Sequence, residues 1–400
     1  MHKSARLYLV MMTLFNFAFA LSGIFVNIFI WNIEKSFSLL AINSLTWSLA
    51  ILLGLPISSW YGRKYSPLAS SRVGILFFIL AYGVLLYFRE DTVNHIIEYG
   101  ILMGLGSSFF LVGQHMQAMD SAEDEKRDRF LYTLNFLTSC TGLIGPVLSG
   151  FIIEKYSGMS GYYVVFGMAF IAFLLTILTS LKIKGSKIPK RSYFKEVWRN
   201  PSREWRWMYW ISIGTSIVEG TYMSFLVSVM TFSILQNELS LGGYNMFAAL
   251  MAILSSLVLA RISRSEWRLK IYTWGAALLS ISSILLSLYP SFWMLAGYAV
   301  LSAVSLNLIN TTLHVWMYAS IEADPHYRER RLDYVIIREI PLGIGRSIGV
   351  ALFFLLQAYF TAEKILPISF ALFGSVFLLL VPSLNKIWGV KGKMQQKSTA

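Results

Sequence analysis

The chain has 400 residues, of which 56% are hydrophobic, 15% aromatic and only 14% charged, with a mean hydropathy of +0.59. A soluble fold of this length carries about 25% charged residues, and so few charges do not keep this much apolar side chain in solution. Collagen-like, disordered and disulfide-scaffold classes fail on the aromatic load and the single Cys140, and the net charge of +13 has no soluble stretch long enough to gather it into a nucleic-acid patch.

A helix needs about 20 mostly apolar residues to cross a hydrocarbon core about 30 Å thick. On that ruler six spans follow in the first half of the chain: 7–31, 39–60, 67–88, 97–118, 132–153 and 161–181. Six more follow in the second: 208–233, 242–261, 271–288, 291–316, 336–359 and 365–385. The first, from Leu7 to Trp31, has no small-residue cleavage pattern and reads as a retained span. Pro56 and Arg72 make the second and third the least regular.

With the amino terminus placed in the cytoplasm, alternation puts 28 of the 34 Lys and Arg residues on the cytoplasmic side. Four lie outside (Lys35, Arg89, Lys155 and Lys364), and Arg338 and Arg346 fall within the eleventh span. Basic residues collect on the cytoplasmic side of membrane proteins. One span more or fewer would invert every later loop and destroy the segregation. The sequence predicts an all-α integral membrane fold of twelve transmembrane helices with both termini cytoplasmic, in a plasma membrane of bacterial type.

The longest break, 182–207, separates an amino-terminal bundle, 1–181, from a carboxy-terminal one, 208–400. It holds nine basic residues against Glu196 and Glu204, with Tyr193, Trp198, Trp205 and Trp207 among them. This is the composition of a cytoplasmic linker resting at the lipid interface. The two halves also look related. At an offset near 203, Arg127 falls on Arg330 and Gly142 on Gly345, and the fourth and tenth spans both end in histidine followed by acids and arginines. Six-plus-six symmetry with such matches indicates a parallel internal repeat.

With these features the chain resembles the major facilitator superfamily of secondary transporters over nearly its whole length. The loop after the second span, Ser59-Trp60-Tyr61-Gly62-Arg63-Lys64, is similar to the family's D-R-x-G-R-K element, with Ser59 at the acidic position. The fifth span carries Gly142 to Gly150, with Gly145-Pro146 and Ser149-Gly150, similar to the G-P-x-x-G-G signature of exporters in the family. Gly161-Tyr162-Tyr163 opens the sixth span in a familiar way. The resemblance implies two pseudo-symmetric six-helix bundles, rocker-switch alternating access, an interdomain loop at Gly62, Arg63 and Lys64, and a cavity lined by the first, fourth, seventh and tenth spans.

An ionisable side chain inside hydrocarbon is costly and marks a functional candidate. Glu219 lies nine residues beyond the interfacial Trp210, about 13 Å into the membrane, where a proton-coupling acid belongs. Arg346 sits ten residues into the eleventh span, and Glu339, seven residues earlier, shares its face. Arg338 points about 100° away from Glu339, nearer the surface. Arg346 reads either as an anchor for an anionic substrate group or as the switching partner of Glu219; a packing network is the alternative for all four. His115 and His314 stand at matching places near the ends of the fourth and tenth spans, as a proton relay or as plain interhelical hydrogen bonds. Asn16, Gln114, Asn307 and Asn310 are softer cavity candidates, with the two asparagines of the tenth span on one face.

The leading expectation is a monomeric transporter of a small or amphiphilic solute, proton-coupled and exporting, with the bilayer as its surroundings and no nucleic acid, cofactor or metal. A flippase for a lipid or lipid-linked sugar is the second reading. A receptor or intramembrane enzyme is the third, and the chain lacks H-E-x-x-H, G-x-S-x-G and P-loop patterns.

Overall fold

The computed structural model describes residues 3–120, 127–156, 158–183, 185, 191–199, 201, 203–262, 267–322 and 324–385. Among them there is no strand. The helices are α1 (Lys3–Glu34), α2 (Phe37–Lys64), α3 (Pro67–Phe88), α4 (Ile96–Asp120), α5 (Arg127–Lys155), α6 (Ser160–Leu181) and the short α7 (Phe194–Arg199). Then come α8 (Arg203–Val218), a π-helical segment (Glu219–Leu226), α9 (Val227–Leu235), α10 (Glu238–Ile262), α11 (Arg268–Leu288), α12 (Phe292–Glu322), α13 (Tyr327–Tyr359) and α14 (Ala362–Leu379).

Eleven continuous helical segments are long and apolar enough to cross a membrane, and one of them, Pro67–Gln114, has 48 residues. At 1.5 Å per residue that is about 72 Å, more than twice the hydrocarbon core. Arg89 resolves the excess. Its positive φ of 53° ends α3, and the 3₁₀ turn Arg89–His95 sends the chain back as α4. The two helices pack along their length, and the Ser70 hydroxyl donates to the Phe109 carbonyl at 2.8 Å. Twelve crossings result, as the composition predicts. Left-handed residues also make the turns at Lys35 and Gln236. On the opposite side, Ser66 caps α3 by accepting from the Ala69 amide, with Pro67 at the first helical position.

The chain forms two compact units, and the first contains residues 1–192 together with 231–249. Its core is aromatic. Phe15 stacks on Phe110, and Phe19, Phe78 and Phe173 close around them edge-on. Gly104 lets α4 approach α2 so closely that a Cβ would press on the Trp47 carbonyl. Such small-residue contacts drive helix association where lipid supplies no hydrophobic force. Arg72 donates to the carbonyls of Ser180 (2.6 Å) and Ile183 (3.2 Å), satisfying the unpaired end of α6. In the 231–249 segment, the Glu238 carboxylate accepts from the Tyr162 hydroxyl (2.8 Å) and the Asn32 amide (3.4 Å).

The second unit contains residues 193–230 and 250–400. The backbones of α8 and α13 touch at glycines: a Cβ on Gly220 would strike the Arg346 carbonyl, and one on Gly345 the Ile213 carbonyl. Buried hydroxyls tie the unit together, with Tyr222 bonded to Ser283 (2.6 Å) and to Tyr298 (2.7 Å). The linker helix α7 is pinned to the start of α13. Glu196 pairs with Arg330 at 3.2 Å, and the Tyr193 amide donates to Asp333. Arg330 also donates to Asp324 (3.0 Å), which accepts the Tyr334 hydroxyl as well. Burial pulls the Asp324 carboxyl upward, but bonds from the His326 amide, Tyr334 and Arg330 outweigh it and hold it below its ordinary value.

Candidate functional site

The second unit holds a cavity of about 100 Å³ lined from four helical elements. Ser212, Thr215 and Glu219 follow one another at spacings of three and four along α8 into the π-helical segment, so they share a stripe facing the cavity. Asn310 and His314, four apart on α12, face it from the other side, and Arg338 enters from α13. Apolar side chains, among them Met208, Met223 and Phe377, complete the wall.

The ion group at its edge is compact. Arg346 donates through Nε (3.1 Å) and Nη2 (3.0 Å) to the same oxygen of Glu219, Oε2. Its Nη1 lies 3.6 Å from Glu339 Oε2. The three groups differ in access: the Glu219 side chain is 41% exposed, Arg346 19% and Glu339 6%. Glu339, the most buried of the three, has Arg346 as its ion-pair partner, whereas the more exposed Glu219 is held by Arg346 through one oxygen and lines the cavity. A buried charge needs a partner; Arg346 serves two carboxylates at once.

Local structure puts Glu219 there. The helix changes from α to π at Glu219, and π turns, rare elsewhere, are frequent at functional sites. The glycine that follows lets α13 approach within backbone contact, bringing Arg346 into reach. Chemically, the site places one guanidinium between two carboxylates, one half-exposed at the cavity wall and one buried.

Arg338 lines the cavity with Glu219 and His314. Asn307 and Asn310 are three residues, about 60°, apart on the helix, but they serve different sites: Asn310 lines the cavity of Glu219 and Asn307 turns to α10. Asn307 donates to the Ala252 carbonyl and reaches Ser255 and Ser256, away from the cavity of Glu219. Asn16 donates to Thr138 at 3.0 Å in the first unit. The Gln114 side chain is exposed, and its backbone carbonyl accepts from Tyr8. The side chain of His115 lies outside the described residues. Gly62 backs onto Val112, Arg63 donates to the Arg191 carbonyl at 2.7 Å, and Lys64 sits 4.8 Å from the centre of the Trp60 ring.

Ser212 and Thr215 were not singled out in the sequence, though their spacing to Glu219 carried the signal. Among the described residues no group of three or more His, Cys, Asp or Glu side chains is placed to hold a metal.

Comparison with known proteins adds the family. Residues 7–330 match the model described as Major Facilitator Superfamily. A Bacillus subtilis protein named only "Uncharacterized protein YqgE" is 26% identical over 367 residues, 90% of this chain and 84% of that protein. The Klebsiella pneumoniae "Multidrug resistance protein MdtL" is 27% identical over 141 residues, 35% of this chain and 34% of its own length. Among solved structures, a D-xylose–proton symporter superposes with a TM-score of 0.69 over 94% of this chain and 96% of that one, at 12% identity; at that identity the likeness speaks for the fold.

Proposed function

As the chain belongs to the Major Facilitator Superfamily, we propose that it moves a small solute across a cell membrane by alternating access, with Glu219 carrying the coupling proton and the solute leaving in exchange. The observation that carries this reading is the half-exposed Glu219 carboxylate, held through one oxygen by Arg346 at a cavity wall. When a proton takes Glu219, Arg346 loses one of its two countercharges and is drawn to Glu339 alone. When the proton leaves, the pair with Glu219 re-forms. Because α8 and α13 touch through Gly220, Gly345 and Gly349, a shift of Arg346 is transmitted to both helices.

The lining supports an amphipathic solute, since methionine, leucine and phenylalanine alternate with Ser212, Thr215 and Asn310. The short likeness to a multidrug resistance protein and the Gly142–Gly150 element favour export. The distribution of basic residues favours cytoplasmic termini.

The test is transport by full-length protein in liposomes under an imposed pH gradient, with ethidium, sugars and amino acids as candidate cargo. Accumulation that follows the gradient in the wild type and falls at least about tenfold, the equivalent of about 1.4 kcal/mol, in Glu219→Gln supports the reading. Gradient-driven accumulation retained by Glu219→Gln contradicts it.

A further inference from the structure

A second cavity, of about 250 Å³, lies in the second unit between α10, α11 and α12. Its position follows from a packing fault. The most apolar eighteen residues of α10 are only 17% buried, against 33–50% in the other spans. In its second half, the side-chain hydrogen bonds from α10 to α12 among the described residues all come from Asn307, which reaches Ala252, Ser255 and Ser256. From this tie the cleft extends toward the carboxy-terminal end of α10 and the start of α11.

Two kinds of group line the cleft. Leu259, Ile271 and Val315 are apolar; Arg268, Thr311 and Ser256 are polar. Arg268 is the first residue of α11, so its guanidinium and the unpaired amides of that helix end carry positive charge to the same place. Neither Arg268 nor Thr311 has a hydrogen bond or ion pair among the described residues. The volume far exceeds the about 10–15 Å³ that one water needs, and Ser256, Thr311 and Val315 are exposed, so the cleft is open at the surface. In a membrane-spanning bundle such a cleft faces acyl chains, with its cation at the level of the headgroups.

We propose that the cleft between α10, α11 and α12 is a binding site for an anionic phospholipid, its phosphate held by Arg268 and Thr311 and the first part of its chain lying against Leu259, Ile271 and Val315. A basic pocket between spanning helices has the chemistry for an anionic headgroup. Apolar walls below the cation select a lipid over a free anion. The lipid fills the cleft and braces α10 against α12 beside the Asn307 bonds.

The experiment is native mass spectrometry of the full-length protein released from bilayer discs of equimolar phosphatidylcholine and phosphatidylglycerol. The wild type is expected to retain one phosphatidylglycerol in preference to phosphatidylcholine. Arg268→Gln reduces that retention about fivefold, the worth of one basic contact at a lipid surface, and Thr311→Val reduces it less. Val315→Trp, which fills the cleft without touching the charge, abolishes it, while Lys182→Gln at an exposed basic site leaves it unchanged. Thermal unfolding of each variant identifies any that does not fold, in which case the remaining cleft variants decide. Equal retention in the folded variants overturns the proposal. So does displacement of the retained species by excess inorganic phosphate, which would mark a free-anion site.

Discussion

The same place in the two halves of the chain is built from different chemistry. Asn16 and Glu219 are 203 residues apart, the offset of the internal repeat. In the first unit Asn16 joins α1 to α5 through a neutral hydrogen bond to Thr138. In the second, Glu219 joins the corresponding helices through a charged pair with Arg346. Elsewhere the halves use similar bonds, though at different registers: Ser22 bonds Tyr82 across α1 and α3, and Tyr222 in the π-helical segment bonds Ser283 of α11. The hydroxyl bonds are common scaffolding, while among the described residues the Asn16–Thr138 tie is neutral and the Glu219–Arg346 tie is charged. A neutral tie has one state. The charged tie in the second unit is the contact on which the proposed coupling rests.

Substitutions at these ties should differ in size accordingly. Arg346→Met removes the ion-pair partner of Glu339, buried at 5% exposure, and of Glu219. The expected loss is about 3–5 kcal/mol, read as a fall in unfolding midpoint in detergent. Arg346→Met combined with Glu339→Gln should recover part of it, whereas a double variant no more stable than the single one would remove Glu339 from the network.

Asp324→Asn should cost less, about 1.5–3 kcal/mol, by weakening bonds made to a charged group. The pH dependence has a defined sign. A carboxyl held below its ordinary value of 3.8 contributes fully above that value and loses its contribution as pH falls through the lower folded value. Wild-type and Asp324→Asn unfolding midpoints should therefore differ at neutral pH and converge in acid; a gap that widens in acid would refute the assignment. Smallest is Thr138→Val, which removes one neutral, partly exposed bond for about 1 kcal/mol and should leave gradient-driven transport in place. Loss of pH coupling in Thr138→Val would erase the distinction between the halves.

Much of the fold was legible because the bilayer allows few solutions. Runs of apolar residues give the spans, and even the fold-back at Arg89 was visible as a charged break inside a 48-residue helical stretch. The shared face of Glu339 and Arg346 followed from helical spacing alone. The pairing of Arg346 with Glu219, 127 residues away, stood as one of two readings of Arg346, because spacing within one helix does not choose which neighbour it meets. The π turn at Glu219 left no mark in composition, and Asn307 turned toward α10 because of packing that one span's sequence does not contain. The 231–249 segment joins the first unit through Glu238, Tyr162 and Asn32, contacts that no local pattern announces.

The most direct measurement is proton release by the purified full-length protein in weakly buffered detergent solution as each candidate cargo is added, for the wild type and for Glu219→Gln. With Glu219 as the coupling acid, a cargo that moves protons in the wild type moves none in the variant. Equal release from both proteins would place the coupling proton elsewhere and reduce the Glu219–Arg346 pair to a structural tie, like that of Asn16 and Thr138.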